Sequence, residues 1–298
     1  MHSAQTLLSE GNPGGRLMHR CHFGPVKREI SIIGQGTWNS ERADRPSAVA
    51  ALRHGLDLGM NHVDTAEMYG GGAAEELIAE AIAGRRDDVF LVSKVLPENA
   101  SRNGTLEACE RSLARLRTDR LDCYLLHWRV RHKLEGTIAA FEELQRAGKI
   151  LSWGLSNFDV AGLEEVRAIT GAGRIACNQI LYHLQQRAVE HDVIPWCEKN
   201  DIAVTAYSPF GSGHFPGPET RGGRMLGEIA ESHGVTPRAV ALAFLTRQKS
   251  VFAIPKSSNP AHVEENAAAV DVHLSQSDLD RIDEAFPRGP KRRALPTL

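Results

Sequence analysis

The sequence lacks the signatures of membrane-spanning, exported and zinc-ribbon proteins. No run of about 18 apolar residues occurs, and the first twenty residues lack the cationic start and apolar core of a secretory signal peptide. The cysteines are odd in number and contain no C-x-x-C pair, so neither a disulfide framework nor a zinc ribbon fits Cys21, Cys109, Cys123, Cys177 and Cys197. We therefore expect a cytoplasmic protein in a reducing compartment.

An excess of charge of one sign is also missing. Lysine and arginine number 35 against 37 aspartate and glutamate residues, which gives a net charge of −2. Without a net basic field, the chain has no general attraction for the phosphates of nucleic acid or for an anionic membrane. We expect a monomer that binds neither of them, and the sequence indicates no metal site.

The apolar content is sufficient for one large core. Of the 298 residues, 42% are apolar, a fraction ordinary for globular domains. Residues 1–20 are rich in Gly, Ser, Asn and Pro and carry no periodicity, so we expect a mobile leader, within which Met18 is a second candidate start. Residues 21–298 then form a single domain.

Short β-branched or apolar runs alternate with amphipathic stretches from residue 30 onward. Strands are predicted at residues 32–33, 61–64, 89–94, 121–127, 151–156, 175–179, 202–207 and 251–256. Helical spacing marks residues 73–82 and 134–147, and Thr236-Pro237 and Asn259-Pro260 have the composition of helix starts. Eight such units favour a single α/β domain, a (β/α)8 TIM barrel, over the alternative of a doubly wound sheet.

Polar residues stand at the carboxyl ends of successive predicted strands. Asp64, Lys94, His127 and Asn157 are spaced 30, 33 and 30 residues apart, which is the length of one βα unit. Consecutive units therefore deliver these groups to the same end of the barrel, where the active sites of such barrels lie. The Gly- and Pro-rich residues 208–218 follow the seventh strand and have the composition of a binding loop.

Tyr69 lies five residues beyond Asp64, in a loop over the barrel mouth. A tyrosine with a pKa near 10 is a poor acid, but a lysine cation at about 4 Å would favour tyrosinate by roughly 4 kcal/mol. We expect Lys94 to lower the pKa of Tyr69, and Asp64 to hold Lys94 charged. Such a tyrosine can protonate a carbonyl oxygen that His127 orients, which indicates carbonyl reduction.

The reduction requires a hydride source, yet the usual nucleotide signatures are missing. Residues 34–39 carry Asn39 where G-x-G-x-x-G needs its third glycine, and no G-x-x-x-x-G-K-[ST] loop occurs. Barrels often bind phosphate through the loops after strands seven and eight. Here those loops contain Gly211-Ser212-Gly213 and Lys256-Ser257, which predict a phosphate site.

Four separated motifs resemble those of the aldo-keto reductase superfamily. They are GMNHVDTAEMYG at residues 59–70, LLHW at 125–128, GLSNF at 154–158 and IPKS at 254–257. The first is similar to the signature that contains the family's catalytic Asp and Tyr, and the second to its catalytic-histidine strand. The likeness runs from about residue 28 to 287 and resembles a short-loop member of bacterial type.

The resemblance implies an NADPH-dependent barrel oxidoreductase that reduces aldehydes or ketones, with NADH as a second candidate cofactor. The implied catalytic residues are Asp64, Tyr69, Lys94 and His127. The implied cofactor-binding residues are Thr37, Ser156, Asn157, Gln179, Tyr207, Ser208, Phe210, Gly211, Ser212, Lys256, Ser257, His262, Glu265 and Asn266. The implied substrate-pocket residues are Trp38, Trp128 and Arg129, and Tyr182 is either a further pocket residue or a core aromatic.

Two residues depart from the family pattern. His262 stands where the family usually has an arginine that contacts adenine and the 2′-phosphate, and a histidine lacks the bidentate guanidinium. We therefore expect only a modest preference for NADPH over NADH. Arg129 follows Trp128 where many relatives have proline, and it is either a solvated loop residue or a contact for anionic substrates. The short segment after His127 and the short basic tail predict an open pocket suited to small or polar carbonyls.

The sequence is also compatible with two other functions. Lys94 could form a Schiff base in a barrel aldolase, although that reading leaves Tyr69 and the Lys256 turn unexplained. A nucleotide-binding regulatory subunit with little turnover is the other alternative.

Overall fold

A computed structural model of the chain describes residues 18–129, 132–292 and 294–298. The strands are β1 (Arg20–Phe23), β2 (Val26–Ser31), β3 (Gln35–Gly36), β4 (His62–Asp64), β5 (Phe90–Val95), β6 (Leu121–Leu126), β7 (Ile150–Ser156), β8 (Ile175–Leu181), β9 (Ala203–Tyr207) and β10 (Val251–Ala253). The helices are α1 (Arg45–Asp57), α2 (Ala73–Ala81), α3 (Arg102–Leu116), α4 (Leu134–Arg146), α5 (Val160–Thr170), α6 (Val193–Lys199), α7 (Arg221–His233), α8 (Pro237–Leu245), α9 (Pro260–Ala267) and α10 (Gln276–Ala285). Among the described residues, none of the helices has both the length and the apolar character needed to cross a membrane.

Strands β3 to β10 form one parallel sheet in sequence order, and the sheet closes on itself. Its closure consists of parallel bridges from Ile33 to Ala253 and from Gly36 to Lys256, with a backbone N–H of Gly34 donating to Ala253 at 2.8 Å. The predicted (β/α)8 barrel is confirmed. The first strand is displaced from the prediction, because residues 32–33 contribute only a bridge and the paired strand β3 follows them.

A hairpin of β1 and β2, which the sequence analysis missed, lies across the amino-terminal end of the barrel. Its Phe23 is fully buried, and an added Cβ at Gly24 would lie 2.4 Å from the carbonyl oxygen of Ala176. The sequence signal that could have indicated the hairpin is the alternation along β2, in which Lys27 and Glu29 are exposed and their neighbours in the strand are less so.

The proposed leader needs a correction at its carboxyl end. Residues 1–17 lie outside the described residues, so that part of the prediction stays a prediction. Met18 is buried and Arg20 begins β1, because the hairpin packs against the barrel core. Residues 18–20, the last three of the predicted leader, therefore belong to the folded domain.

The helix-start signals are confirmed, and they show how the loops end. Thr236 accepts from the backbone N–H of Ala239, and Asn259 accepts from Ala261, so both side chains cap their helices. The predicted binding loop after the seventh barrel strand spans residues 208–220, two residues longer than expected, and α7 begins at Arg221.

His62 is the first residue of β4 and lies in the interior of the barrel, away from the carboxyl ends of the strands. Its ring is fully buried and forms edge contacts with Phe23, Phe90 and Phe252 at centroid distances of 5.5, 5.8 and 6.3 Å. Neither ring nitrogen has a hydrogen-bond partner among the described residues. Burial, with a smaller effect of the Lys94 cation, lowers the pKa of His62 to about 3.

This buried neutral histidine predicts a loss of stability in acid. The pKa of an unfolded histidine is about 6.5, so the unfolded state takes up the proton first and stability falls as the pH drops from 6.5 toward 3. Between pH 7 and pH 5, we expect His62 alone to cost about 2 kcal/mol of unfolding free energy. Urea unfolding should show His62→Leu losing about 2 kcal/mol less over this interval than the wild type.

The control for this measurement is His22→Gln, at an exposed position of the hairpin, which should retain the wild-type pH dependence. An identical pH dependence in His62→Leu and wild type would show that His62 does not stay neutral in the folded state.

Candidate active site

The predicted catalytic residues meet at the carboxyl ends of the second, third and fourth strands of the barrel. Asp64 ends β4, Lys94 is the penultimate residue of β5, and His127 directly follows β6. Tyr69 begins a short helical turn that leads from β4 toward α2. Parallel neighbouring strands carry their final side chains to one edge, so the regular spacing in the sequence becomes proximity in the barrel.

Lys94 is the centre of this cluster. Its fully buried ammonium donates to Asp64 at 2.6 Å, to the carbonyl oxygen of Thr65 at 2.7 Å and to the Tyr69 hydroxyl at 3.2 Å. Burial lowers the pKa of Lys94, but the Asp64 carboxylate and Tyr69 outweigh burial, so the pKa lies above its ordinary value. The ammonium stays charged, which disfavours the Schiff-base reading because an amine must be neutral to attack a carbonyl.

The prediction that Lys94 lowers the pKa of Tyr69 is wrong for the net shift. Burial of the phenol raises the pKa of Tyr69 and outweighs the opposing effect of Lys94, while Asp64 adds to the increase. The cost of desolvating the phenol depends on how the folded chain surrounds it, so its size relative to the effect of the cation could not be predicted from the sequence. Tyr69 is therefore a protonated phenol at neutral pH, and Lys94 stands 3.2 Å from the oxygen that would become a phenolate.

His127 faces Tyr69 across the mouth of the barrel. The two rings are 5.9 Å apart in an edge arrangement, and Trp128 lies 4.7 Å from the imidazole. Burial, aided by the charge of Lys94, lowers the pKa of His127 to about 2. The imidazole is thus neutral at physiological pH and can donate one N–H to a ligand oxygen.

Residues of the later strands form the opposite wall. Gln179 of β8 donates to Asp64 at 2.7 Å, which ties this wall to the Lys94 cluster. Asn157 has a left-handed backbone (φ 61°), donates to the carbonyl oxygen of His127 at 3.1 Å, and accepts from the Tyr207 hydroxyl at 2.9 Å. Burial raises the pKa of Tyr207 to about 12, with a smaller opposing effect of a hydrogen bond from the backbone of Leu298.

A cavity of about 560 Å³ opens above Tyr69 and His127. Its lining includes the predicted substrate residues Trp38, Trp128 and Arg129, together with Ser156, Asn157, Gln179, Tyr207, Met68, Thr297 and Leu298. Trp38 is 42% exposed, so the cavity has an open side.

Two expectations about the pocket change. Arg129 forms a two-pronged ion pair with Glu165, so its charge is already matched by a carboxylate. The basic tail was expected to leave the pocket uncovered, yet its last two described residues, Thr297 and Leu298, line the cavity. Chain folding brings them there although they are distant in sequence from every motif.

The alternative pocket role for Tyr182 is wrong. Its ring is 1% exposed and its hydroxyl donates to Glu190 at 2.6 Å, while Arg247 donates to it at 3.0 Å. Arg187 completes this buried network by pairing with Glu190 at 2.8 Å. Tyr182 therefore belongs to the structural core behind the pocket.

A second cavity, of about 700 Å³, adjoins the first and shares Trp38, Tyr69 and Tyr207 with it. Predicted cofactor residues line it: Thr37, Ser208, Phe210, Ser212, Lys256, Ser257, His262 and Asn266. Gly211 and Glu265 are not among its lining residues, and a Cβ added at Gly211 would lie 3.4 Å from Nδ1 of His183. We call this second cavity the cofactor cleft.

The cofactor cleft has the chemistry expected for a large anion. The Lys256 ammonium forms no salt bridge or hydrogen bond among residues 18–129, 132–292 and 294–298, and burial lowers the pKa of Lys256 against a smaller opposing effect of the Glu41 carboxylate. Ser208, Gly211, Ser212 and Gly213 have positive φ, so the loop after β9 turns tightly beside this cation. Pockets of this volume are typical of cofactor sites, and a lysine ammonium without a salt bridge favours a phosphate-bearing cofactor.

Arg238 also lines the cofactor cleft, and the sequence analysis missed it. The available signal was its place directly after Thr236-Pro237, at the start of the helix that precedes the eighth barrel strand.

Comparison with known proteins agrees with this geometry. A model of the Aldo/keto reductase family matches residues 32–286. Methylglyoxal reductase YeaE of Escherichia coli is 43% identical over 268 residues, covering 89% of this chain and 94% of that protein. Glyoxal reductase of Bacillus subtilis is 32% identical, covering 86% and 88%. An aldo-keto reductase from Klebsiella pneumoniae, solved in complex with NADPH, has a TM-score of 0.88 at 40% identity, covering 95% of this chain and 100% of that one.

Proposed function

Because the chain belongs to the aldo/keto reductase family, we propose that it reduces small aldehydes and ketones to alcohols with NADPH. The observation that carries the proposal is the Lys94 ammonium, which bridges Asp64 and the Tyr69 hydroxyl at the floor of an open cavity. This arrangement holds a proton donor next to a fixed positive charge. It is the arrangement required to protonate a carbonyl oxygen as negative charge develops there.

The dinucleotide, when bound, supplies the hydride for the carbonyl carbon. Lys256, Ser257, His262 and Asn266 would hold its phosphate-bearing adenosine end, and Ser208, Phe210 and Ser212 its pyrophosphate. Ser156, Asn157, Gln179 and Tyr207 would hold the nicotinamide, since all four line the first cavity and Tyr207 also lines the cofactor cleft. Thr37 also lines the cofactor cleft, and its hydroxyl donates to the carbonyl oxygen of Asp64 at 2.9 Å, which connects the cleft to the Lys94 cluster.

The protein's own residues carry out the proton transfer. Tyr69 gives its phenolic proton to the carbonyl oxygen, and Lys94 stabilises the phenolate that remains, so the carbonyl gains one hydride and one proton and becomes an alcohol. Neutral His127 donates a hydrogen bond to the same oxygen and orients it. Asp64 keeps Lys94 charged throughout, because the 2.6 Å pair excludes loss of the lysine proton at neutral pH.

The pocket favours small α-dicarbonyl substrates. Two relatives are a methylglyoxal reductase and a glyoxal reductase, and the cavity here is walled by Trp38 and Trp128. A four-ring ligand would need an extended apolar surface, since apolar burial contributes only about 25 cal/mol per Å². Arg129 adds little selectivity for anions, because Glu165 already pairs with it.

The proposal is tested by following nicotinamide absorbance with methylglyoxal, glyoxal, short aldehydes and steroid ketones. We expect the highest kcat/KM among the small carbonyls. Tight nucleotide binding with negligible turnover of every carbonyl would favour the regulatory subunit instead. Trapping of a protein–substrate adduct by borohydride without nucleotide would favour the aldolase. A kcat/KM for steroids about a hundredfold above that of all small carbonyls would contradict the proposed pocket.

The preference for NADPH over NADH should depend on Lys256. Removing this cation by Lys256→Ala should weaken NADPH binding and narrow the preference, because the 2′-phosphate is absent from NADH. His262→Arg should widen the preference, since it adds a permanent charge and a planar donor pair. Affinities are measured for both nucleotides by fluorescence titration, with Lys199→Ala, on the distant helix α6, as the control. Equal wild-type affinities, unaffected by Lys256→Ala, would place the phosphate elsewhere.

The chain's five free cysteines agree with a reducing compartment, and we propose that the protein works as a monomer in the cytoplasm.

A further inference from the structure

Arg238 is held in the cofactor cleft by two aromatic rings. It is the second residue of α8, and its guanidinium lies 5.5 Å from the ring centre of Phe210 and 5.0 Å from that of Phe215. The two rings contact each other edge-on at 5.7 Å. Both belong to the loop after β9, so Arg238 joins that loop to the start of α8 and has a defined position along the cleft.

These cation–π contacts leave the hydrogen-bonding capacity of Arg238 unused. Within the described parts of the chain, no carboxylate pairs with this arginine and no carbonyl accepts from it. Arg187 shows the contrast, since it is paired with Glu190 and Asp283. A guanidinium held only by aromatic contacts keeps its N–H donors free, and these donors suit a phosphate.

The position of Arg238 within α8 is electrostatically unfavourable by itself. Backbone N–H groups at the beginning of a helix carry partial positive charge, and a cation in the first turn is opposed by them. Lys256, three residues after the end of β10, lines the same cleft, and its ammonium also forms no salt bridge among the described residues. A bound anion would compensate both cations and the helix end together.

We propose that Arg238 binds the 2′-phosphate of the dinucleotide and supplies the guanidinium that position 262 lacks. The inference rests on the proposed function, because it takes NADPH to be the nucleotide. Ser257, His262 and Asn266 line the cleft together with Arg238, and they mark the end where the adenosine would lie. A phosphomonoester carries up to two negative charges on one phosphate, whereas each phosphate of the pyrophosphate carries one, so the 2′-phosphate is the single phosphate that gains most from two cations in the same cleft.

The test compares the affinities of NADPH and NADH for wild type and Arg238→Met. Methionine keeps an unbranched apolar stem on Phe210 and Phe215 but removes the charge. We expect the Kd for NADPH, measured by quenching of tryptophan fluorescence, to rise about tenfold or more, and the Kd for NADH to change less than about twofold. Adenosine 2′,5′-bisphosphate should lose affinity in parallel with NADPH, while 5′-AMP should not. Arg238→Lys should recover part of the loss, because lysine restores the charge without the bidentate geometry.

Arg167→Met is the matched control, since it removes one exposed arginine from α5, outside the cofactor cleft. Unfolding midpoints of all variants show whether the fold is retained. Equal losses for NADPH and NADH would assign Arg238 to the pyrophosphate and overturn the inference. An unchanged NADPH affinity in Arg238→Met would overturn it while leaving the proposed function intact. Failure of the wild type to bind either nucleotide would overturn the proposed function and this inference with it.

Discussion

Replacing Tyr69 by phenylalanine should lower kcat for carbonyl reduction by about 10²–10⁴-fold and leave the Kd for NADPH within about twofold. The substitution removes the only proton that this ring can give and retains the ring itself. The hydroxyl lies 3.2 Å from the Lys94 ammonium, and burial keeps its pKa above the ordinary value, so it is protonated before the reaction. The loss should therefore appear in kcat, measured with a saturating α-dicarbonyl.

Tyr124→Phe is the matched control for this substitution. Tyr124 is fully buried in β6, and its hydroxyl has no hydrogen-bond partner among the described residues. Its replacement removes a hydroxyl of the same kind from the core without touching the cavity, and activity should persist. If Tyr69→Phe kept more than half of the wild-type activity, another group would have to be the acid.

Lys94→Met should lower kcat to a similar extent, and it should also reduce the free energy of unfolding. Without the ammonium, a phenolate at Tyr69 has no countercharge, and the burial that raises its pKa acts unopposed. Asp64, which is 1% exposed, would keep only Gln179 as a side-chain partner among the described residues. Removing one partner of a buried ion pair typically costs about 3–5 kcal/mol, so urea unfolding should show a loss of that size.

The double variant Lys94→Met with Asp64→Asn separates the two effects. It removes the carboxylate that Lys94→Met alone would leave unpaired, so it should recover much of the lost stability while activity stays absent. Recovery of stability without activity is the expected result. Wild-type stability in Lys94→Met would instead show that the buried pair contributes little. Recovery of activity in the double variant would exclude Lys94 from the proton transfer.

The candidate site could be predicted from sequence where regular spacing determines position. Asp64, Lys94 and His127 recur at the period of one βα unit, and a parallel barrel converts that period into a shared edge. Lys256 could be placed by the same reasoning, since Pro260 begins a helix shortly after it. In each case a local signal was sufficient, because the barrel repeats one unit and its active face is always the same end.

Interactions between distant segments could not be predicted in this way. Tyr69 and Lys94 were expected together, but the direction of the Tyr69 shift depends on how deeply the phenol is buried, which depends on every element around it. Leu298 lines the pocket and Arg129 pairs with Glu165 because of the tertiary fold, and no sequence motif indicates either contact. Arg238 has no family motif around it, and only the tertiary structure places it beside Phe210 and Phe215.

The sequence by itself determined the alternation of strands and helices, the barrel, the four residues at its mouth and the absence of ordinary nucleotide motifs. These features follow from periodicity and composition, which are properties of single βα repeats and can be read from the amino-acid sequence. Only the tertiary structure decided the closing hairpin, the net pKa shifts of Tyr69 and His127, the partner of Arg129 and the place of Arg238 in the cofactor cleft. Desolvation and charge pairing depend on distances between residues far apart in the chain, and those distances exist only after the barrel has closed.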